Sequence, residues 1–177
     1  MNSVEELDKS IRRIPDFPKP GVMFYDITSI LINPEAFHYC ISRMHQLFDQ
    51  GGFDAIAAIE ARGFFFASPF AAQNSLPLLP IRKAGKLPGS TLQKSFSLEY
   101  GQDSLEVHSE DVEAGWKVLL VDDLIATGGT TNAALELLTD SGATNCETFS
   151  VVGLPFLGYP KVVTSVKIHT LIEYEGE

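Results

Sequence analysis

Lys117-Val-Leu-Leu-Val-Asp-Asp-Leu-Ile-Ala-Thr-Gly-Gly-Thr-Thr-Asn-Ala-Ala134 is the stretch from which the fold can be read. Residues 118–121 form a short, purely aliphatic run, the pattern of a strand buried on both faces of a parallel sheet. Asp122 and Asp123 follow where such a strand should end. From about Thr130 the period turns helical, placing Ala133, Ala134, Leu137 and Leu138 on one face. Ligands of open α/β sheets bind at the carboxyl ends of strands, so the loop Ala126, Thr127, Gly128, Gly129, Thr130 lies where one is expected. The two glycines let an anion approach the backbone. Thr127, Thr130 and Thr131 add hydroxyls, and the helix that follows adds free N–H groups. The loop therefore reads as an anion cradle, without the spacing or lysine of a Walker A motif. Paired acids beside such a cradle suit a ligand that carries hydroxyls next to its phosphate, as a ribose 5-phosphate does.

This stretch closely resembles the phosphoribosyl diphosphate signature of the type I phosphoribosyltransferases. Two more segments, Ile81-Arg-Lys-Ala-Gly-Lys-Leu-Pro-Gly89 and Ser97-Leu-Glu-Tyr-Gly101, are similar to segments of the adenine-specific branch of that family. So is Pro15-Asp-Phe-Pro-Lys-Pro-Gly-Val-Met-Phe-Tyr-Asp-Ile-Thr28 near the N-terminus. Together the matches run from about residue 14 to residue 138. The resemblance implies an α/β fold: a mainly parallel central sheet flanked by helices, with a flexible lid loop over residues 82–103. It also implies a base-binding hood over residues 1–33, all within one domain of residues 1–177.

The chain as a whole is compatible with this. Its 177 residues are 45% hydrophobic, enough for one sizeable core. No apolar run reaches membrane-spanning length, and the N-terminus is polar and acidic rather than signal-like. Cys40 and Cys146 have no metal-binding spacing, and a reduced, cytoplasmic setting is expected. A net charge of −10 argues against nucleic acid as a partner. The acids are unevenly placed, however. Residues 61–98 contain no Asp or Glu, while they hold Arg62, Arg82, Lys83, Lys86 and Lys94. An acidic protein that keeps one basic window is expected to bind a polyanion there.

Along the chain we expect a helix over residues 4–13, then an extended segment enforced by Pro15, Pro18 and Pro20. A helix opens at Asn33-Pro34 and runs to about Asp49, where Gly51-Gly52 ends it. Residues 55–59 read as a buried strand, 64–73 as an apolar helix and 76–81 as another strand. Gly85, Pro88, Gly89 and Gly101 mark residues 82–102 as a long, functional loop. Strands are expected again at 104–108 and 144–153, with further strand-like runs between 162 and 172.

Beyond the opening stretch, Glu60-Ala-Arg-Gly63 closes the 55–59 strand and should share its sheet edge with Asp122 and Asp123. In the resembled family such a loop binds pyrophosphate through its arginine and a non-proline cis peptide, with Ser where this chain has Ala61. The resemblance thus implies that Arg62, Arg82, Lys83 and Lys86 contact the diphosphate. It implies that Asp122 and Asp123 engage the ribose and that Glu99 assists proton transfer at the base. Met23, Phe24 and Tyr25 would hold adenine, Phe24 with its ring face and the others through the backbone; Tyr25 stands where the family commonly has Arg. The implied reaction is adenine plus 5-phospho-α-D-ribose 1-diphosphate giving AMP and pyrophosphate, with Mg²⁺ held mainly by the donor's diphosphate. A homodimer with Arg82 near its interface is implied as well. The rivals are an enzyme for hypoxanthine, guanine or xanthine, and a non-catalytic sensor of the same donor. A sensor of that kind should carry a DNA-binding region and a basic face.

Overall fold

The computed structural model describes residues 1, 3–48, 51–98 and 101–176. Its elements, in order, are α1 (Val4–Ser10), β1 (Arg12–Pro15), β2 (Met23–Asp26), α2 (Thr28–Leu31), α3 (Pro34–Phe48), β3 (Ala55–Ile59), α4 (Gly63–Asn74) and β4 (Leu78–Lys83). Then come β5 (Thr91–Leu98), β6 (Gly101–His108), β7 (Lys117–Ile125), α5 (Gly129–Asp140), β8 (Asn145–Gly153), α6 (Tyr159–Val162) and β9 (Ile168–Glu173).

Seven strands form one sheet in the order β5-β6-β4-β3-β7-β8-β9. β4, β3, β7, β8 and β9 run parallel, while β5 and β6 add an antiparallel edge. The chain passes from β3 outward to β4 and later returns to β7 on the other side of β3. The strand order therefore reverses between β3 and β7, and a crevice opens at their carboxyl ends. Side chains of β3 alternate between two cores. Ile56 and Ala58 face Phe66, Phe70, Met44 and Phe149, beneath α3 and α4. Ala55, Ala57 and Ile59 face Ala133, Ala134, Leu137 and Leu138 of α5. This is why the central strands read as unbroken aliphatic runs.

α3 begins as the sequence suggests. Pro34 occupies the first helical position, and the Asn33 side chain accepts the Ala36 N–H at 3.2 Å. Ala36, Cys40, Ile41, Met44 and Phe48 then line one buried face. The N-terminal helix is shorter than expected, ending at Ser10. Arg12 turns its N–H to Ser29 Oγ at 2.9 Å and starts β1, which pairs antiparallel with β2 as a separate two-stranded sheet. Ser29 Oγ donates in turn to the carbonyls of Ser10 and Asp26, both at 2.8 Å, tying this hood together.

Three further expectations are corrected. The region 82–103 is not one loop: among its described residues 84–90 are irregular, Arg82 and Lys83 end β4, and 91–98 and 101–103 belong to the β5–β6 hairpin, paired from Thr91↔His108 to Leu98↔Gly101. The sequence hides this because Lys94 interrupts the apolar alternation of Leu92 and Phe96. Lys94 reaches Glu136 and Asp140 of α5, at 3.0 Å each, where an apolar residue would otherwise pack. Second, β7 does not stop at the paired acids. It continues to Ile125 because Leu124 and Ile125 keep pairing with Val152 and Gly153. Third, the 162–172 region gives one strand, β9, preceded by the short α6.

Candidate active site

β3 ends in the Glu60–Ala61 peptide, which is cis, and Arg62 leads directly into α4. Gly63 has to be glycine here, since a Cβ would stand 2.7 Å from the Val121 carbonyl oxygen. That close approach brings Arg62 over the end of β7. Arg62 Nε donates to Asp123 Oδ2, and Asp123 is only 3% exposed. Burial opposes the Arg62 charge, but Asp123, Asp122 and Asp26 outweigh it and hold the guanidinium more firmly protonated. Asp122 has the opposite fate. Burial first, then the Asp123 carboxylate, pushes its carboxyl well above the usual range. Its Oδ1 accepts the Asp123 N–H at 2.8 Å.

The cradle lies beside these acids. Gly128 caps α5 with φ +84°, and a Cβ on it would meet Tyr159 Cα at 3.1 Å. Asn132 is the residue whose N–H returns to the Gly128 carbonyl, at 2.8 Å. The amides of Gly129, Thr130 and Thr131 therefore have no partner within the helix and face the loop, with the positive end of the helix dipole behind them.

One cleft of about 430 Å³ joins the two halves. Its walls include Glu60, Ala61, Arg62, Lys83, Asp122, Asp123, Ala126, Thr127, Gly128 and Thr130. Gly129 is the first residue of α5, directly behind that wall. The remaining expected residues stand elsewhere. Arg82 Nε donates to Glu60 Oε2 at 2.6 Å, and Lys86 is exposed on the 84–90 loop. Met23, Phe24 and Tyr25 lie on β2, outside this cleft, where the link to it is Asp26, close enough to support the Arg62 charge. Phe24 is half-buried, with the Phe17 ring edge-on at 5.0 Å. The Tyr25 ring is core, 8% exposed and stacked on Tyr174. Glu99 lies outside the described residues.

Several residues of this region escaped the sequence reading. Phe96, Asp103 and Leu124 line the cleft, and Lys83 Nζ pairs with Asp103 at 2.8 Å. Glu106, buried on β6, accepts the N–H groups of Lys86 and Leu87, both at 2.7 Å. Burial pushes its carboxyl up, but the amides of Leu87, Gly85 and Lys86 and the Thr91 hydroxyl outweigh burial and hold it below the usual range. An available signal was the acid-free window itself: acids from other segments meet Arg62, Arg82, Lys83 and Lys94. The window is a set of borrowed pairs rather than a bare basic patch.

Comparison with known proteins fits this geometry. Residues 26–172 match the phosphoribosyl transferase domain family. The adenine phosphoribosyltransferase of Treponema denticola is 57% identical over 171 residues, covering 97% of this chain and 90% of that protein. The chain belongs to the adenine phosphoribosyltransferase family. Its fold is that of the family's solved members. The enzyme of Thermoanaerobacter pseudethanolicus superposes with a TM-score of 0.92 at 42% identity, over 97% of this chain and all of the other. The Saccharomyces cerevisiae enzyme was solved with adenine and an imino-altritol bisphosphate. It gives 0.89 at 34% identity, over 96% of this chain and 98% of the other. The departure at position 25 has a physical reading: the ring belongs to the hood's packing. Among the described residues, no helix is long and apolar enough to cross a membrane.

Proposed function

We propose that this chain forms AMP and pyrophosphate from adenine and 5-phospho-α-D-ribose 1-diphosphate, a purine salvage reaction. The observation that carries the reading is the meeting of the Arg62–Asp123 pair, Asp122 and the Gly128 cradle in one cleft at the switch point of the sheet. N9 of adenine attacks the anomeric carbon, the bond to the diphosphate oxygen breaks, and positive charge develops on the ribose. The open amides of Gly129, Thr130 and Thr131, with Ala126, Thr127 and Gly128, hold the 5-phosphate. Asp122 and Asp123 take the ribose hydroxyls and lie near the developing charge. Arg62 receives the diphosphate, with Lys83, Lys86 and Arg82 around it. Lys83 and Arg82 are then handed from Asp103 and Glu60 to the substrate.

The edge of β2 at Met23, Phe24 and Tyr25 holds adenine, Phe24 by its ring and the other two by backbone groups. Glu99 serves proton transfer at the base, so Glu99→Gln should lower kcat at least about tenfold with little change in donor affinity. Among the described residues no cluster of three or more His, Cys, Asp or Glu side chains is disposed to cage a metal. Asp123 already faces Arg62 and Asp122 is held toward its neutral form, so Mg²⁺ would be held mainly by the donor's diphosphate, as it commonly is by substrate phosphates. When bound, Mg²⁺ supplies charge neutralisation to the leaving diphosphate. We further assign the enzyme to a homodimer and to the cytoplasm; its free cysteines, Cys40 and Cys146, suit a reducing compartment.

The test is pyrophosphate release with the donor, Mg²⁺ and a panel of bases. Adenine should exceed hypoxanthine and guanine by at least about a hundredfold, the scale on which mismatched hydrogen-bonding edges discriminate. Comparable turnover of hypoxanthine would remove the adenine assignment.

A further inference from the structure

Tyr25 and Tyr174 join the hood to the catalytic sheet, and neither ring lines the cleft. Tyr25 is the third residue of β2. Its ring lies flat on Tyr174, with centroids 4.0 Å apart and planes 9° apart. Tyr174 follows β9 immediately, and its N–H donates to the Gly153 carbonyl at 3.1 Å. It is thereby pinned to the carboxyl end of β8, the edge of the sheet on which the cleft opens. Its hydroxyl donates to Asp8 Oδ1 of α1. The same oxygen accepts Arg13 Nη2 at 2.7 Å, and the Arg13 guanidinium lies 5.5 Å from the Tyr174 ring centre. Arg13 is in turn the register partner of Tyr25 across the hood sheet. Three hood elements, α1, β1 and β2, thus converge on one C-terminal side chain.

Side chains alternate along a strand, so Tyr25 facing its core puts Phe24 on the opposite face, where Phe17 meets it edge-on. A ring locked below the strand sets the height and tilt of the backbone above it. We propose that Tyr174 is a positioning residue for the nucleobase: by stacking on Tyr25 it fixes the β2 edge against which adenine is read. This rests on the assignment of residues 23–25 to adenine. The donor half of the site stands on other supports, namely Arg62 on α4's N-terminus and the cradle backed by Tyr159. Loosening the clamp should therefore separate the two substrates, which a general loss of stability does not do.

Steady-state kinetics in both substrates test this. Tyr174→Leu and Tyr25→Leu should each raise the KM for adenine about three- to tenfold, the range a stacked aromatic pair is worth. The KM for the donor should stay within about twofold. The double variant should be no worse than the worse single, because both remove one shared contact. Tyr174→Phe keeps the stack and should restore most of the adenine affinity. A parallel rise in both KM values, or an unchanged adenine KM, overturns the proposal. Phe24→Ala separates the two ideas. No effect there removes the base site itself. A raised adenine KM there, with Tyr174→Leu unchanged, removes the clamp alone. If the leucine variants do not fold, Asp8→Asn with Arg13→Gln leaves both rings in place. A selective rise of about two- to threefold is then expected, the scale of a lost exposed ion pair, and none refutes the clamp.

Discussion

Asp123 gives its carboxylate to Arg62, while Asp122 accepts the Asp123 N–H and is forced toward its protonated form by burial and by its neighbour's charge. Because the Asp122 value is raised from an ordinary 3.8, the folded chain holds a proton that the unfolded chain has already lost. Stability therefore falls as pH rises from about 4 through the folded value. Asp122→Asn should then raise Tm at pH 8, by an amount that shrinks toward pH 4, and it should lower kcat at the same time. A melting series across that range checks both the sign and the window. Asp123→Asn keeps the shape but removes charge beside the ribose. It should depress kcat by about 10²–10³-fold, the scale of one preorganised electrostatic contact at a transition state. AMP binding should change far less. The place of both acids could be read from an aliphatic run followed by a Gly-Gly turn. Their difference could not, since it depends on Arg62, which arrives from another strand. Tyr25 shows the same limit. As a sequence it is an aromatic beside a base platform, and only the arrival of Tyr174 from the chain's other end makes it core.

At the scale of elements, the parallel strands and the helices between them were plain, because each carries a single unbroken period. The β5–β6 hairpin was obscured by what it exchanges with its neighbours. Lys94 is a charge on its inward face that α5 answers, and Gln93 sits opposite the buried Glu106, to which it donates at 3.2 Å. Glycines and a proline between residues 85 and 89 correctly marked a turn, but the turn is seven residues, 84–90, rather than the whole region. The start of α5 was read to within one residue, although β7 runs on past its acids to Ile125, and the corner between them carries its own prediction. Gly128 is left-handed and its Cα faces Tyr159, whose hydroxyl donates to Glu173 Oε1 at 2.7 Å. Gly128→Ala faces about 1–2 kcal/mol of backbone strain before any crowding, which corresponds to a fall in Tm of roughly 2–8 °C for a chain of this size. The donor KM should rise with it, since the same corner is the 5-phosphate cradle. A variant with an unchanged Tm would mean that the corner relaxes out of the left-handed conformation without cost.

At the scale of the molecule, a chain of net charge −10 takes a polyanionic donor, so its few cations must be well placed. Four of the five bases in the acid-free window are engaged: Arg62 with Asp123, Arg82 with Glu60, Lys83 with Asp103, and Lys94 with Glu136 and Asp140. Arg82 is the informative one. Its pairing with Glu60, a wall residue of the cleft, ties it to its own subunit's site, yet the homodimer that the resemblance implies would bring it near the interface. From there it is able to serve either its own diphosphate site or the neighbour's. Light scattering should give a mass about twice 19.4 kDa. Mixing then decides whose site Arg82 serves. Arg82→Ala and Asp123→Asn are each expected to be nearly inactive alone. If Arg82 acts across the interface, a mixed dimer has one subunit with an intact Asp123 that receives its partner's intact Arg82. Equal amounts, reassorted at random, should then recover about a quarter of wild-type activity. If Arg82 acts within its own subunit, both sites of the mixed dimer lack a component and mixing restores nothing. An active monomer at assay concentration would remove the dimer and this role together, leaving Arg82 to its pairing with Glu60.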